Sequence, residues 1–213
     1  MKKYVLFIML LPLPLLAQWN TSAIKLGSFI PSSAGAGFIV GYEGSHFFDP
    51  NVSFGWSIDW YHSNYTDASI VNVADQYYPY GVTDNQLRAS TNLHDFPIMA
   101  DINVRFPITP LAEAYATGGL GFEALFISYS NFDDPSKNDF KTAFAFDWRL
   151  GAGATYAIGP RSEVFGEIAY HYSQPSWTYQ VTDPNSTIGR TVTYERVIDM
   201  SGMMFRLGMR FYY

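Results

Sequence analysis

Gly202-Met-Met-Phe-Arg-Leu-Gly-Met-Arg-Phe-Tyr-Tyr213 is the stretch on which the fold turns. Met203, Phe205, Leu207, Met209, Phe211 and Tyr213 are large and apolar, while both charges, Arg206 and Arg210, fall between them with Met204, Gly208 and Tyr212. Period two means a strand. Its apolar face runs unbroken to the last residue, which is expected of a face turned to lipid rather than to water. A single strand cannot cross a membrane, because unpaired N–H and C=O groups in hydrocarbon cost several kcal/mol each. The reading therefore requires a closed barrel, and the rest of the chain must supply its other strands.

At the opposite end, Lys2 and Lys3 precede an apolar run over 4–16, followed by Ala17, Gln18, Trp19 and Asn20. That is the pattern of a secretory signal peptide cleaved near Ala17, giving a signal segment at 1–17 and a barrel domain at 18–213. The run is too short for a helix to span about 30 Å of hydrocarbon, and Pro12 and Pro14 interrupt it. With no cysteine, a lipid anchor at the cleavage site and a disulfide framework are both excluded. Removing Lys2 and Lys3 takes the basic count from 13 to 11 against 19 acids, a formal charge of −8 that argues against nucleic acid as a partner. Aromatics reach 18%, and no segment of the mature chain approaches 18 unbroken apolar residues, as expected of a transmembrane β-barrel.

Seven further stretches alternate in the same way. They cover 23–30, 36–45, 52–63, 93–106, 112–127, 141–158 and 163–173. The cleanest is the third, with Val52, Phe54, Trp56, Ile58 and Trp60 on one face and Ser53, Gly55, Ser57 and Asp59 on the other. Pro97, inside the fourth, has no N–H for a ladder and predicts a bulge or strand end. Asp49-Pro50-Asn51, 107–110 and Gly159-Pro160 are short turns, whereas 64–89, 131–139 and 174–196 are long and polar. Trp177, Tyr179 and Val181 alternate with polar residues, so the last two strands are expected to extend beyond the bilayer as a hairpin. Short turns belong on the periplasmic side and long loops outside, which places both termini in the periplasm. The expected architecture is all-β, an eight-stranded antiparallel up-and-down transmembrane barrel.

Charge parity tests this. A charge on the lipid face at mid-bilayer costs about 2–4 kcal/mol, whereas the lumen is polar. Asp95, Asp101 and Arg105 share a face; so do Glu113 with Glu123, Asp147 with Arg149, Glu163 with Glu167, and Arg206 with Arg210. Asp199 has lipid-side parity and must lie beyond the membrane. The lumen is thus expected to hold Arg105, Glu113, Asp147, Arg149, Glu167, Arg206 and Arg210, with Glu167 beside Arg206 and Arg210, and Arg105 opposite Glu113. An eight-stranded barrel is just wide enough for side chains to fill, so these charges plug the interior rather than line a general pore. The alternative is a narrow, cation-leaning conductance.

The segment Arg206-x-Gly208-x-x-Phe211-x-Tyr213 resembles the C-terminal signal by which bacterial outer-membrane barrels are recognised for assembly. With Phe96-Pro97-Ile98 and Gly118-Gly119-Leu120-Gly121-Phe122, it makes the chain similar to the small OmpA/OmpX-type barrels, and more narrowly to the porin-like outer membrane protein β-barrel domain family. The resemblance implies residence in the outer membrane among lipid and lipopolysaccharide, and insertion by the barrel-assembly machinery. It implies no single function, since such barrels include stabilising and adhesive proteins.

Two further readings rest on particular residues. Tyr-His171-Tyr-Ser173 resembles the His-x-Ser element of outer-membrane lipid A deacylases, in which the histidine activates a serine nucleophile. Gln174 and Pro175 depart from that pattern, and parity turns His171 and Ser173 toward the lumen, away from a lipid substrate; catalysis is not the expected role. His62-Ser63-Asn64 has the same ambiguity. Tyr77, Tyr78 and Tyr80 in the 64–89 loop, and Trp177, Tyr179 and Tyr194 in the 174–196 segment, are contact candidates for a surface protein or glycan. They could equally form an interfacial aromatic girdle or pack loop on loop. No metal-ligand spacing, phosphate loop or nucleotide motif appears, so neither cofactor nor metal is expected.

Overall fold

The computed structural model describes residues 21–65, 89–131, 139–182 and 191–213. The expected signal segment 1–17 and the loop tyrosines Tyr77, Tyr78 and Tyr80 lie outside them. Ten strands are present: β1 (Thr21–Pro31), β2 (Gly37–Asp49), β3 (Val52–Tyr65), β4 (Ala89–Pro107), β5 (Ala112–Asn131), β6 (Asp139–Gly159), β7 (Ser162–Ser173), β8 (Ser176–Thr182), β9 (Thr191–Val197) and β10 (Gly202–Tyr212). Eight of them close a barrel: β1 through β7 pair with their neighbours in sequence, β7 pairs with β10, and β10 returns to β1, every pair antiparallel.

The remaining two form a hairpin. The chain leaves β7 at Gln174-Pro175, and β8 then meets β6 only at Phe144↔Ser176 while pairing β9 from Ser176↔Val197 to Thr182↔Thr191. Proline, lacking an N–H, ends the β7 ladder at the point where the hairpin branches off. Asp199 sits in the connection back to β10, its backbone bonded to Ser33, beyond the last rung of the barrel.

Short connections at 50–51, 108–111 and 160–161 share one end with Thr21 and Tyr212, here the turn end; the long connections share the other, the loop end. The short turns are held by their own side chains. Asp49 Oδ1 accepts from the N–H of Asn51 at 3.0 Å, and Thr109 Oγ1 accepts from the N–H of Ala112 at 2.9 Å.

Pro97 produces no bulge. β4 runs through it in register, opposite Glu123 on β5, and only the ladder to β3 lapses, between Ile58↔Ile98 and Tyr61↔Asp95. One missing donor on one side is all that proline takes away, and the β5 ladder carries the strand across.

β4, β5 and β6 are longer than their alternation foretold, at 19, 20 and 21 residues. A crossing needs about 9–11 residues. Outward-facing Phe140 and Ile158 stand at opposite ends of β6, about 45 Å apart along the barrel axis for strands tilted about 40°, against an apolar band of about 25 Å. This side of the barrel therefore rises well beyond the membrane.

Parity holds around the whole wall. Outward positions are apolar and exposed, from Ile24 and Leu26 on β1 to Phe205 and Leu207 on β10. Lumen positions carry the charges, and Arg206 is 2% exposed beside Leu207 at 72%. Such a continuous apolar exterior is a lipid face.

Candidate functional site

The lumen residues join in an order that alternates in sign along its entire length. From the turn end, Glu113 pairs with Arg105 (3.1 Å), Arg105 with Glu163 (3.0 Å), Glu163 with Arg210 (2.5 Å) and Arg210 with Glu43 (3.2 Å). Lys25 then bridges Glu43 (2.5 Å) and Glu167 (3.6 Å), and Arg206 bridges Glu167 and Asp59. Arg149 completes the run, pairing with Asp59 (2.6 Å) and Asp101 (2.9 Å). Every one of the eight barrel strands contributes at least one member, so the ladder ties the wall together across its interior.

Neutral donors fill the gaps. Ser57 donates to Asp101 at 2.5 Å and accepts from Arg149 at 2.8 Å, while the Tyr115 hydroxyl donates to Glu167 at 3.0 Å. Lower down, the Tyr212 hydroxyl donates to Glu163 at 2.7 Å and lies 2.6 Å from Arg105. These bonds meet much of the hydrogen-bonding capacity that buried charges would otherwise leave open, with the Nε of Arg149, Arg206 and Arg210 unpartnered among the described residues.

Arg206 does stand opposite Glu167, and Arg105 meets Glu113. Arg210 does not reach Glu167: it lies directly opposite Glu163 in the β7–β10 register and takes Glu163 and Glu43 as partners. Lys25, Glu43, Asp59, Asp101 and Glu163 belong to the ladder as fully as the residues singled out from sequence. Their lumen parity was the available signal: Asp101 and Glu163 already share a face with the other charges of their strands, whereas Lys25, Glu43 and Asp59 are single charges in the stretches 23–30, 36–45 and 52–63.

The C-terminal segment splits by parity. Arg206 and Gly208 face inward, Phe211 and Tyr213 outward. A Cβ on Gly208 would lie 2.6 Å from the Ile24 carbonyl oxygen and 2.4 Å from the Phe165 ring, so only glycine leaves room for that ring. The Arg210 guanidinium lies 4.8 Å from its centroid, a cation–π contact inside the barrel.

Toward the loop end the filling changes character. One lumen position beyond Asp59, Asp95, Glu123 and Arg206 stand Tyr61, Leu93, Leu125 and Met204, which join Phe29, Ile39 and Met200 in a buried apolar layer. The Tyr61 hydroxyl donates to the Gly35 carbonyl, tying this layer to the β1–β2 connection. Trp177 is half-buried and packs against the layer. Tyr179 and Tyr194 are backbone partners in the β8–β9 hairpin.

His171 and Ser173 both face the lumen and are fully buried. His171 Nε2 lies 2.9 Å from Glu123 Oε2, and its ring meets Phe29 edge-on at 5.6 Å. His171 Nδ1 and Ser173 Oγ have no hydrogen-bond partner among the described residues, so the bond that would join a base to its nucleophile is not made. His62 instead stacks on His94 at 4.5 Å, and Trp60 Nε1 donates to His94 Nδ1 at 3.3 Å, on the outward face.

Comparison with known proteins agrees with the barrel. A major outer membrane protein from Thermus thermophilus aligns with a TM-score of 0.61 at 13% identity, over 92% of this chain and 100% of that one. Neisserial surface protein A aligns with a TM-score of 0.56 at 12% identity, covering 92% and 96%. OprG, an outer membrane protein of Pseudomonas aeruginosa, gives 0.52 at 10% identity, again covering 92% and 96%. At such identities the likeness is one of fold. No curated protein matches this sequence. The family described as outer membrane protein beta-barrel domain matches residues 6–195, nearly the whole length. With a closed eight-stranded wall, an apolar exterior and a charged interior, the chain belongs to the outer membrane protein β-barrel domain family and is a protein of the outer membrane.

Proposed function

We propose that this barrel is a non-enzymatic surface protein that engages a protein or glycan through its loop end, with its lumen sealed and its termini in the periplasm after export and signal removal. The observation that carries the reading is the filling of the lumen. An alternating ion-pair ladder spans the interior and an apolar layer stands over it, both built from buried side chains. What remains for function is the loop end, where β4, β5 and β6 rise beyond the bilayer and the β8–β9 hairpin projects.

In the membrane its immediate surroundings are lipid and lipopolysaccharide. The Arg206–Tyr213 segment, with Phe211 and Tyr213 turned outward, is the part offered to the barrel-assembly machinery. Against hydrolysis of a lipid stand the burial of His171 and Ser173 in the lumen and the absence of a bond between them.

The test compares the refolded full-length barrel with a version in which 66–88 and 178–195 are replaced by short turns, keeping Trp177 over the apolar layer. Both are presented to native outer membranes and to surface-glycan and matrix-protein arrays. Binding by the intact barrel alone is the expected result. Equal binding by both, or none by either, would contradict the role assigned to the loop end.

A further inference from the structure

Between the ion-pair ladder and the apolar layer lies a group of acids that the ladder does not reach. Asp95, Glu123 and Asp147 are fully buried, and no arginine or lysine bridges them among the described residues. Both carboxylate oxygens of Asp95, both of Asp147, and Glu123 Oε1 receive no hydrogen bond from a nitrogen or hydroxyl donor, His171 Nδ1 and Ser173 Oγ are likewise unpartnered, and Asp95 and Glu123 stand carboxyl to carboxyl. The contrast within one lumen is sharp. Six carboxylates of the ladder bond to five cationic side chains, whereas among these three only Glu123 meets a nitrogen directly, that of His171, and Asp147 feels the Arg149 charge without bonding to it.

Strand register brings the group together. Asp147 on β6 stands opposite Ser173 on β7 and opposite Gly121 on β5, while His171 stands opposite Arg149. A Cβ on Gly121 would collide with the Ile98 carbonyl and come within 2.8 Å of Asp147 Oδ1, so the glycine leaves room for both. Asp95 interacts electrostatically with both Glu123 and Asp147. Glu123, Asp147 and His171 each offer a donor atom within 4.8 Å of the others. Ligands about 2.0–2.2 Å from a shared ion stand up to roughly 4.2 Å apart, so small rotations close the three onto one centre.

We propose that Glu123, Asp147 and His171 form a binding site for one divalent transition-metal ion of the zinc and manganese class, with Asp95 and Ser173 at its margin. Buried carboxylates left without donors carry a large desolvation cost that a divalent charge offsets directly. The donor set selects the class: an imidazole beside carboxylates, with no thiolate, suits zinc, manganese or ferrous iron better than calcium or magnesium, which prefer all-oxygen shells. His171 Nε2 and Glu123 Oε2 already lie 2.9 Å apart, so these two ligands face one another before any ion binds. The ligands come from three strands, so the site forms as the barrel closes and the ion is loaded during folding.

The test refolds the full-length barrel with Zn2+, with Mn2+ or with a chelator, removes free metal, and counts the ion retained. About one ion per barrel is expected, with a raised unfolding temperature. Asp147→Asn and His171→Gln, checked for folding by their heat-dependent gel migration, are each expected to weaken retention by about 100-fold. His94→Gln, on the outward face, is expected to retain it. X-ray absorption on the zinc-loaded wild type provides a second readout that needs no variant, with one imidazole nitrogen and carboxylate oxygens at about 2.0–2.2 Å expected. No retained ion, retention unchanged by Asp147→Asn and His171→Gln, or a shell of several histidines would each overturn the proposal.

Discussion

Arg206→Met is expected to destabilise the refolded barrel by about 3–5 kcal/mol, measured by denaturant unfolding in lipid vesicles, because removing one partner of a buried ion pair leaves the others uncompensated. Arg206 holds Glu167 and Asp59 together in the middle of the ladder. Its loss leaves Asp59 with Arg149 alone, and Glu167 with Lys25 at 3.6 Å and the Tyr115 hydroxyl. Methionine fills much of the same volume, so the deficit measures charge rather than cavity. Adding Glu167→Gln to Arg206→Met removes one of the stranded carboxylates and is expected to recover part of the loss. A change under about 1 kcal/mol, as for solvent-exposed pairs, would mean that water enters the lumen and screens the ladder.

Leu207→Arg, one residue along, is expected to cost about 2–4 kcal/mol for the opposite reason, if its site lies near mid-bilayer. Leu207 is 72% exposed on the outer face, opposite Leu26 on β1 and Gly166 on β7. The same side chain that stabilises at 206 is thus harmful at 207, and only the pleat distinguishes the two positions. Unfolding in vesicles reads the difference. A Leu207→Arg barrel as stable as the parent would place this face against water or protein instead of lipid.

How much of this could be read from the chain follows from what a strand encodes locally. Alternation along one strand states which residues share a face, and so Asp147 with Arg149, and Arg206 with Arg210, are assigned inward before any partner is known. Partnership depends on the stagger between strands, which no single strand carries. Arg210 illustrates this: parity puts it on the same face as Glu167, its expected neighbour, but the β7–β10 register sets it opposite Glu163. Pro97 shows the converse, a local signal outweighed by the β5 ladder beside it. The Glu123, Asp147 and His171 group has no sequence spacing at all, since its members come from three strands and meet only through register. Trp177 alternates like a strand residue exposed on a hairpin, yet the turn of the chain at Pro175 lays it over the apolar layer.

An interior closed by its own side chains carries no ion current and leaves function to the loop end. Conductance of the full-length barrel in a planar lipid bilayer tests it most directly, with insertion verified by heat-dependent gel migration of protein recovered from the same vesicles. A bilayer that stays electrically silent is expected, because the ladder from Glu113 to Asp101 and the layer around Phe29, Tyr61 and Leu125 occupy the lumen. Stable, voltage-independent current steps would contradict it.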